Sequence, residues 1–595
     1  MDNIIREVTS KITLDDINAL ELYSNRELIK NLNEEDQKQL ISKGEKWIVE
    51  SLPKLTFKLY RDYKETGNRQ NFQEEYNKRR FALNDVFFAE LVENKGRFIK
   101  LLIEYLYETL SEIVWWLPAH NAYERDGYNS GYPDPTKPII ALFCAETAAQ
   151  VSIIINAFQK KLPAELINLA NQQLEERIFT PYENNRYWWM AEEDGFVNNW
   201  APWCTQNVLL SYACSLNFNK DRMLRFINKS SSTLDRFLSS YGTDGCCEEG
   251  PQYYHVAGGT LLGSIEIINL CSNNKISSIY LNEKLKNIAA YIKKVHITGP
   301  YFVNFGDCNA KAGDCRAKDY LFAKKVKDKE LINFIATNWS TVKNKLMSDE
   351  RNLFDRFISI KYLKKLNALS KSLVDVDLTY SKFTEFKSKG LYIFRSKENT
   401  LAVQAGNNYQ SHNHNDTGSF IYYKNNEPLI IDVGVEEYSE KSFSDSRYSI
   451  WTMRSTYHNL TNFNDIEQIF AKESTCQIKD VTSSSISMEL VNAYPKNDKI
   501  KSYIRNLKLK DNVLILEEIL DSSIEGTLTL MVQKPVNIVS NNIIIIGDNE
   551  IKVEGKVKSI NCEDIKVIDS RLKVSLPNVV YRITINYNNY ILLKI

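Results

Sequence analysis

Apolar positions along the first 373 residues recur at helical spacing. Between Arg97 and Leu117, the residues Ile99, Leu102, Leu106, Leu110, Ile113 and Leu117 fall on one stripe, and Pro118 ends it. The same periodicity predicts helices at Ala164–Ile178, Gln206–Leu216, Asp221–Leu238, Gly259–Leu270, Leu285–Val295 and Asp319–Thr337. The links between them are mostly short and rich in Gly, Pro, Asn and Asp, which suggests an array of helical hairpins. No clean solenoid repeat is visible.

From about Val374 the period changes to two. LAVQAG at 401–406, GSFIYYK at 418–424, EPLIIDVG at 427–434, TLTLMVQ at 527–533 and YRITINY at 581–587 are rich in β-branched and aromatic residues. NIIIIGDNEIKVEG at 542–555 reads as two strands around a turn. The expectation is therefore α+β segregated by domain. Helical hairpins fill residues 1–373, and an antiparallel β-sandwich fills 374–595.

Composition narrows the function classes. The chain has 595 residues, 75 basic and 75 acidic, so its net charge is zero. That excludes the basic footprint of bulk nucleic-acid binding and requires local groups to meet any anionic substrate. The N-terminus MDNIIREVTSKITLDD lacks the pattern of a secretory leader, so a cytoplasmic location is expected. The most membrane-like stretch, Ala141–Phe158, carries Glu146, Gln150 and Asn156 and is expected to be a buried helix. The ten cysteines show no CxxC spacing and are expected to be free thiols.

Candidate chemistry concentrates in few places. The chain has six histidines, and three of them, His412, His414 and His458, fall between 412 and 458. In SHNHND an extended strand would put His412 and His414 on one face, joined by Asp416 if the extension continues. With Asp432 and His458 downstream, such a set suits zinc with an open fourth position. Hydrogen-bonded strand-end residues are the alternative. In NNWAPWC, Trp200 and Trp203 offer flat faces and Asn198 and Asn199 offer amides, which suits either sugar stacking or core packing. TDGCCEEGPQYYH is a shaped loop whose Tyr253 or Tyr254 could move a proton. There Glu249 and Asp244 could instead be a hydrolytic carboxylate pair, or the tyrosines could simply be buried. His120 lies in a further aromatic patch, WWLPAHNAY. FGDCNAKAGD reads as a turn-rich loop.

Taken in order, NNRYWWM…NNWAPWC, DGCCEEGPQYYHVAGG, FGDC, SHNHNDTGSFIYYKNNEPLIIDVG and RYSIWTMRSTYHNL resemble the blocks of the heparinase II/III-like polysaccharide lyases over nearly the whole chain. The resemblance implies an N-terminal (α/α) toroid and a C-terminal antiparallel β-sandwich. It implies β-elimination on an anionic, uronate-containing glycan, with no nucleic-acid or membrane partner. By the same resemblance, Asn199, with Asn198 as fallback, would neutralise the uronate carboxylate. Tyr253, with Tyr254 adjacent, would be general acid and potential base, and His412 would be base or carboxylate partner. Trp200, Trp203 and His120 would bind substrate. His414, Asp432 and His458 would hold a structural zinc, with His458 also placed to support catalysis, and a twist or bulge would separate His412 from that metal. Competing readings are a hydrolase using Glu249 and a silent glycan-binding protein.

Overall fold

The computed structural model describes residues 3–21, 28–125, 127–192, 196–373, 378–410, 412–464, 466–510 and 512–595. The chain forms two compact units. The first comprises Met1–Ser240, His255–Ala289 and Asp314–Val376, and the second comprises Tyr241–Tyr254, Ala290–Gly313 and Asp377–Ile595. The expected change of architecture at Val374 lies outside the described residues.

The first unit is the (α/α) toroid of helical hairpins. Leu142–Ala157, Trp200–Ala213 and Gly258–Cys271 are buried on nearly every side, as their unbroken apolar composition requires. Glu34–Val49, Ala164–Leu174 and Lys220–Ser240 bury a single stripe each and turn charged residues outward. A layer of fully buried helices thus packs against amphipathic ones. The membrane-like stretch is one of the buried helices, 16 residues long. Among the described residues no helix is long and apolar enough to cross a membrane.

Several predicted helices differ in extent, and for two of them a local cause is visible. The stripe at Arg97–Leu117 is helical only over Ile99–Leu110. There the Trp115 indole donates to the last-turn carbonyl of Thr109 at 2.9 Å, and Ile113 is left exposed. The stretch Asp319–Thr337 is two helices, Ala317–Lys325 and Lys329–Asn338. They break at Lys327, whose φ is +61°, and the second helix is capped by Asp328.

The second unit is an antiparallel β-sandwich. One sheet has five strands, ordered Phe383–Phe386, Leu391–Ser396, Asn399–Gln404, Phe420–Lys424 and Glu427–Ile430. The other has ten strands and runs through Val513–Ser522 and Val579–Lys594 at its centre. Along Val513–Ser522 buried and less buried residues alternate, the signature of a strand with one face on the core. Phe394, Leu401, Val403 and Phe420 of the smaller sheet meet Leu507, Leu516, Leu530 and Ile585 of the larger one in a single hydrophobic core. Segment 290–313 adds the short pair His296–Thr298 and Tyr301–Phe302.

Candidate active site in the sandwich unit

Within SHNHND, His412–Asp416 is not a strand. It lies in the loop between Asn399–Gln404 and Phe420–Lys424, and His412 takes a left-handed φ of +54°. The shared-face expectation for His412, His414 and Asp416 is thereby corrected. The reason is local: side chains bind this loop to itself and to Gln468 instead of to a neighbouring strand. Asn408 donates to Gln468 Oε1 at 2.9 Å, the Thr417 hydroxyl donates to Asn408 Oδ1 at 2.8 Å, and Gln468 Nε2 donates to Thr417 O at 2.7 Å. Such side-chain bonds satisfy backbone and amide groups that a ladder would otherwise have used.

The two histidines converge on one carboxylate from opposite ends. Asp307 Oδ2 lies 2.8 Å from His412 Nδ1, and Asp307 Oδ1 lies 3.0 Å from His414 Nε2. Arg447 Nη2 donates to Oδ1 at 2.7 Å and the Tyr438 hydroxyl to Oδ2 at 2.9 Å. Burial alone would raise the Asp307 pKa, but the hydrogen bonds from His412 and His414 and the charges of His412 and Arg447 hold it well below the usual carboxylate range. A fully buried Asp307 is thereby kept ionised.

From Tyr438 the network continues to Tyr253. Their hydroxyls are 2.8 Å apart, and Tyr438 OH is also 3.2 Å from His412 Nδ1. The Tyr253 and His412 rings lie 5.0 Å apart, centroid to centroid. The Arg571 guanidinium sits 4.6 Å over the Tyr438 ring and donates to Asp307 O at 3.1 Å. Glu249 Oε2 is 3.7 Å from His412 Nε2. Burial pushes the Tyr253 phenol up to about 12, while Arg571 and the Tyr438 hydrogen bond pull the other way. Burial works against the charged form of His412, but Glu249 and Asp307 outweigh it and its pKa is raised.

Exposure separates the candidates. The His412 side chain is 20% exposed and that of His414 is 0%, so only the first can meet a solute. Tyr253 is partly exposed, whereas Tyr254 is wholly buried with its ring 5.8 Å from that of Tyr291. Asp244 accepts from Ser388 N, Ser388 Oγ and Cys246 N at 2.9, 2.8 and 3.1 Å, so it shapes its own loop.

On the far side of Asp307, His414, Asp432 and His458 bring one ligand atom each within 4.8 Å of one another, all buried. Asp432 Oδ2 is 2.9 Å from His458 Nδ1. His414 Nδ1 and His458 Nε2 are buried and have no hydrogen-bond partner among the described residues. Two orphaned imidazole nitrogens beside a carboxylate are a donor set for a divalent cation of the zinc type, whose tetrahedral ligands stand roughly 3.3 Å apart. His414 would carry Asp307 behind it as an outer carboxylate.

The remaining candidates belong to the helical unit. Asn199 immediately precedes helix Trp200–Ala213 and is 8% exposed, and Asn198 Oδ1 accepts from Trp200 N at 3.0 Å. Trp200 lies between His120 and Trp188, with centroids 4.6 and 4.9 Å away. Trp203 donates to Glu146 at 2.8 Å. Burial, then Arg69, holds His120 well below the ordinary histidine pKa.

Sequence reasoning missed four residues. Asp307 lay in FGDC and Arg447 in RYSIWTM, both quoted as blocks without a role. Tyr438 falls between two such blocks, and Arg571 had no signal at all.

Comparison with known proteins agrees with this architecture. Residues 380–527 match the heparinase II/III-like, C-terminal family model. Over 99% of its length the chain shares the fold of the crystal structure of heparinase III, with a TM-score of 0.60, 14% identity and 93% of that chain covered. A mutant heparan sulfate lyase from Pedobacter heparinus matches 98% of the chain with a TM-score of 0.55, 14% identity and 93% of that chain covered. A Streptomyces coelicolor A3 chondroitin AC lyase in complex with chondroitin sulphate matches 99% with a TM-score of 0.51, 8% identity and 82% of that chain covered. No curated protein matches by sequence. The fold is that of the heparinase-type polysaccharide lyases.

Proposed function

We propose that the protein is a carbon–oxygen lyase that cleaves uronate-containing glycans by β-elimination, with heparan sulfate or heparin as the leading substrate. The observation that carries this reading is the hydroxyl pair Tyr253–Tyr438, 2.8 Å apart, set against His412 and the ionised Asp307.

β-Elimination requires three things of the protein. The uronate carboxylate must be neutralised, the C5 proton removed and the departing O4 protonated. The protonated form favoured at His412 suits it to pair with the carboxylate. The C5 proton then falls to Tyr253. The Arg571 charge favours its phenolate, against the burial that raises its pKa to about 12. Tyr253 takes the C5 proton and returns it to O4. The C5–H and C4–O4 bonds break, and C4=C5 and O4–H form. A single partly exposed tyrosine thus serves both half-steps, each proton transfer contributing about 10²–10⁴-fold in rate.

His414, Asp432 and His458 would hold a structural zinc. When bound, the ion supplies no chemistry to the sugar. His414, Asp432 and His458 come from three separate segments, so a shared ion would hold those segments together, and His414 in turn would hold Asp307 in place.

The test is a panel of uronate-containing glycans, followed by the ultraviolet absorbance of the new double bond, with Tyr253→Phe as control. The expected result is a rise with one glycan class, reduced at least about 10³-fold in a folded variant. New reducing ends without absorbance would replace the lyase by a hydrolase using Glu249. Binding without turnover would make the protein a glycan-binding one.

A further inference from the structure

Two core positions of the sandwich carry opposite charges. Along Ile500–Lys510 the buried alternate positions run Tyr503, Arg505, Leu507 and Leu509, and along Val513–Ser522 they run Leu514, Leu516, Glu518 and Leu520. Arg505 and Glu518 stand opposite each other across the two strands, and both side chains are 0% exposed. A buried ion pair is weak support for stability, since apolar residues of like volume often serve as well or better. The other bonds of this pair show a different use. Arg505 Nε and Nη2 both donate to Glu518 Oε1, the first at 2.8 Å, while Nη1 donates to two backbone carbonyls, Gly418 O and Asn459 O, each at 2.6 Å.

Those carbonyls belong to the segments that carry the histidines. Gly418 closes the loop that presents His412 and His414, and Asn459 directly follows His458. Asn459 extends the knot: its amide donates to Phe420 O at 2.6 Å and to Ile431 O at 2.9 Å, the latter next to Asp432. Glu518 is held in turn, accepting from Tyr503 OH at 2.7 Å and from Tyr587 OH and Thr461 Oγ1 at 2.5 Å each. A guanidinium supplies, from one planar fork, donors for a carboxylate and a further nitrogen for two carbonyls. An apolar pair would fill the same volume and leave both carbonyls without that donor. We propose that Arg505, fixed by Glu518, is a positioning residue. It sets the path of the loop bearing His412 against the turn bearing His458, and through His412 the place of Asp307. The proposal deepens the lyase reading given above and rests on it.

The experiment uses the full chain and two variants. Arg505→Met/Glu518→Gln removes both charges and keeps an acceptor for Tyr503, Tyr587 and Thr461. Arg505→Lys keeps the charge but replaces the fork by a single nitrogen. For each, turnover is measured on the glycan class that the wild type cleaves. Thermal melting and the ring resonances of the six isotope-labelled histidines are measured alongside. Both variants are expected to melt cooperatively. Their kcat should fall about 10–100-fold, as for a displacement on the order of 1 Å, with KM changed less than kcat. The resonances of His412, His414 and His458 should shift, and those of His120, His255 and His296 should stay. Wild-type kcat in a folded variant would overturn the proposal and leave the lyase reading standing. Movement of all six resonances would also overturn it, because that reports a general loosening. If Arg505→Met/Glu518→Gln does not fold, Arg505→Lys decides by the same readouts. A wild type without turnover on any uronate glycan would overturn the lyase reading, and the resonances alone would then decide whether Arg505 positions the loop.

Discussion

At the scale of single residues, Asp307 holds the most. Four side chains donate to it, from His412, His414, Arg447 and Tyr438, and it is 0% exposed. Asp307→Asn keeps the shape but turns an acceptor-only group into one that is half donor, facing four donors. The expected outcome is a loss of about 3–5 kcal/mol in stability, as for one partner removed from a buried charged pair. Turnover should fall at least about 100-fold in whatever fraction stays folded. Thermal melting and the unsaturated-product assay read the two effects separately, and an unchanged melting temperature would sink the argument. The contrast with the histidines explains what a sequence can reveal. His412, His414 and His458 stood out because six histidines in 595 residues make three within 47 positions conspicuous. Asp307 is one of many acids, and only a fold that brings it across 105 positions to His412 gives it a role.

At the scale of elements, the strands and helices followed from periodicity, while the loop that carries the chemistry did not. Period two marked the strands either side of SHNHND, and nothing in that pattern reports a network through Asn408, Thr417 and Gln468. The same holds for the loop around Asp307. Gly306 has a φ of +72°, and a Cβ there would lie 2.8 Å from the carbonyl oxygen of His412. The backbone of Asp307 also donates to that carbonyl, at 3.1 Å. Gly306→Ala is therefore strained twice, by its dihedral and by a backbone atom that cannot move aside. It should destabilise the sandwich unit by about 1–3 kcal/mol and depress turnover about 10-fold or more through the displaced Asp307. Full activity with an unaltered melting curve would show that the loop tolerates a wider path. Trp115 and Asp328 teach a similar lesson on the helical side. Each ends or starts a helix by a hydrogen bond that an apolar stripe cannot encode.

At the scale of the whole molecule, the sandwich unit is discontinuous in sequence. Besides Asp377–Ile595 it contains Tyr241–Tyr254 and Ala290–Gly313, which bring Glu249, Tyr253 and Asp307. These segments are built into it: the Tyr291 and Phe386 rings are 5.6 Å apart, Arg395 donates to Lys294 O at 2.7 Å, and Asn309 donates to Arg571 O at 3.0 Å. The change of period near 374 was legible, but the two earlier visits were not, since they read as ordinary loops among helices. A fragment of residues 377–595 would expose the surface that Tyr291, Phe302 and Phe305 cover. It should aggregate, or give a broad melt without a sharp transition by circular dichroism. A cooperative, soluble fragment would contradict that expectation.

The same discontinuity has a consequence for how the protein comes into being on the ribosome. Asp307 is made 105 residues before His412 and 264 before Arg571, both of which it contacts. At roughly 5–20 residues per second, the wait for Arg571 is on the order of 10–50 s. Until Arg571 emerges, the nascent chain lacks the guanidinium that donates to the Asp307 carbonyl and covers the Tyr438 ring. A chain terminated just before Arg571 therefore carries Asp307 and Tyr438 without the guanidinium that ties them together, and the network closes only in the last stretch of translation.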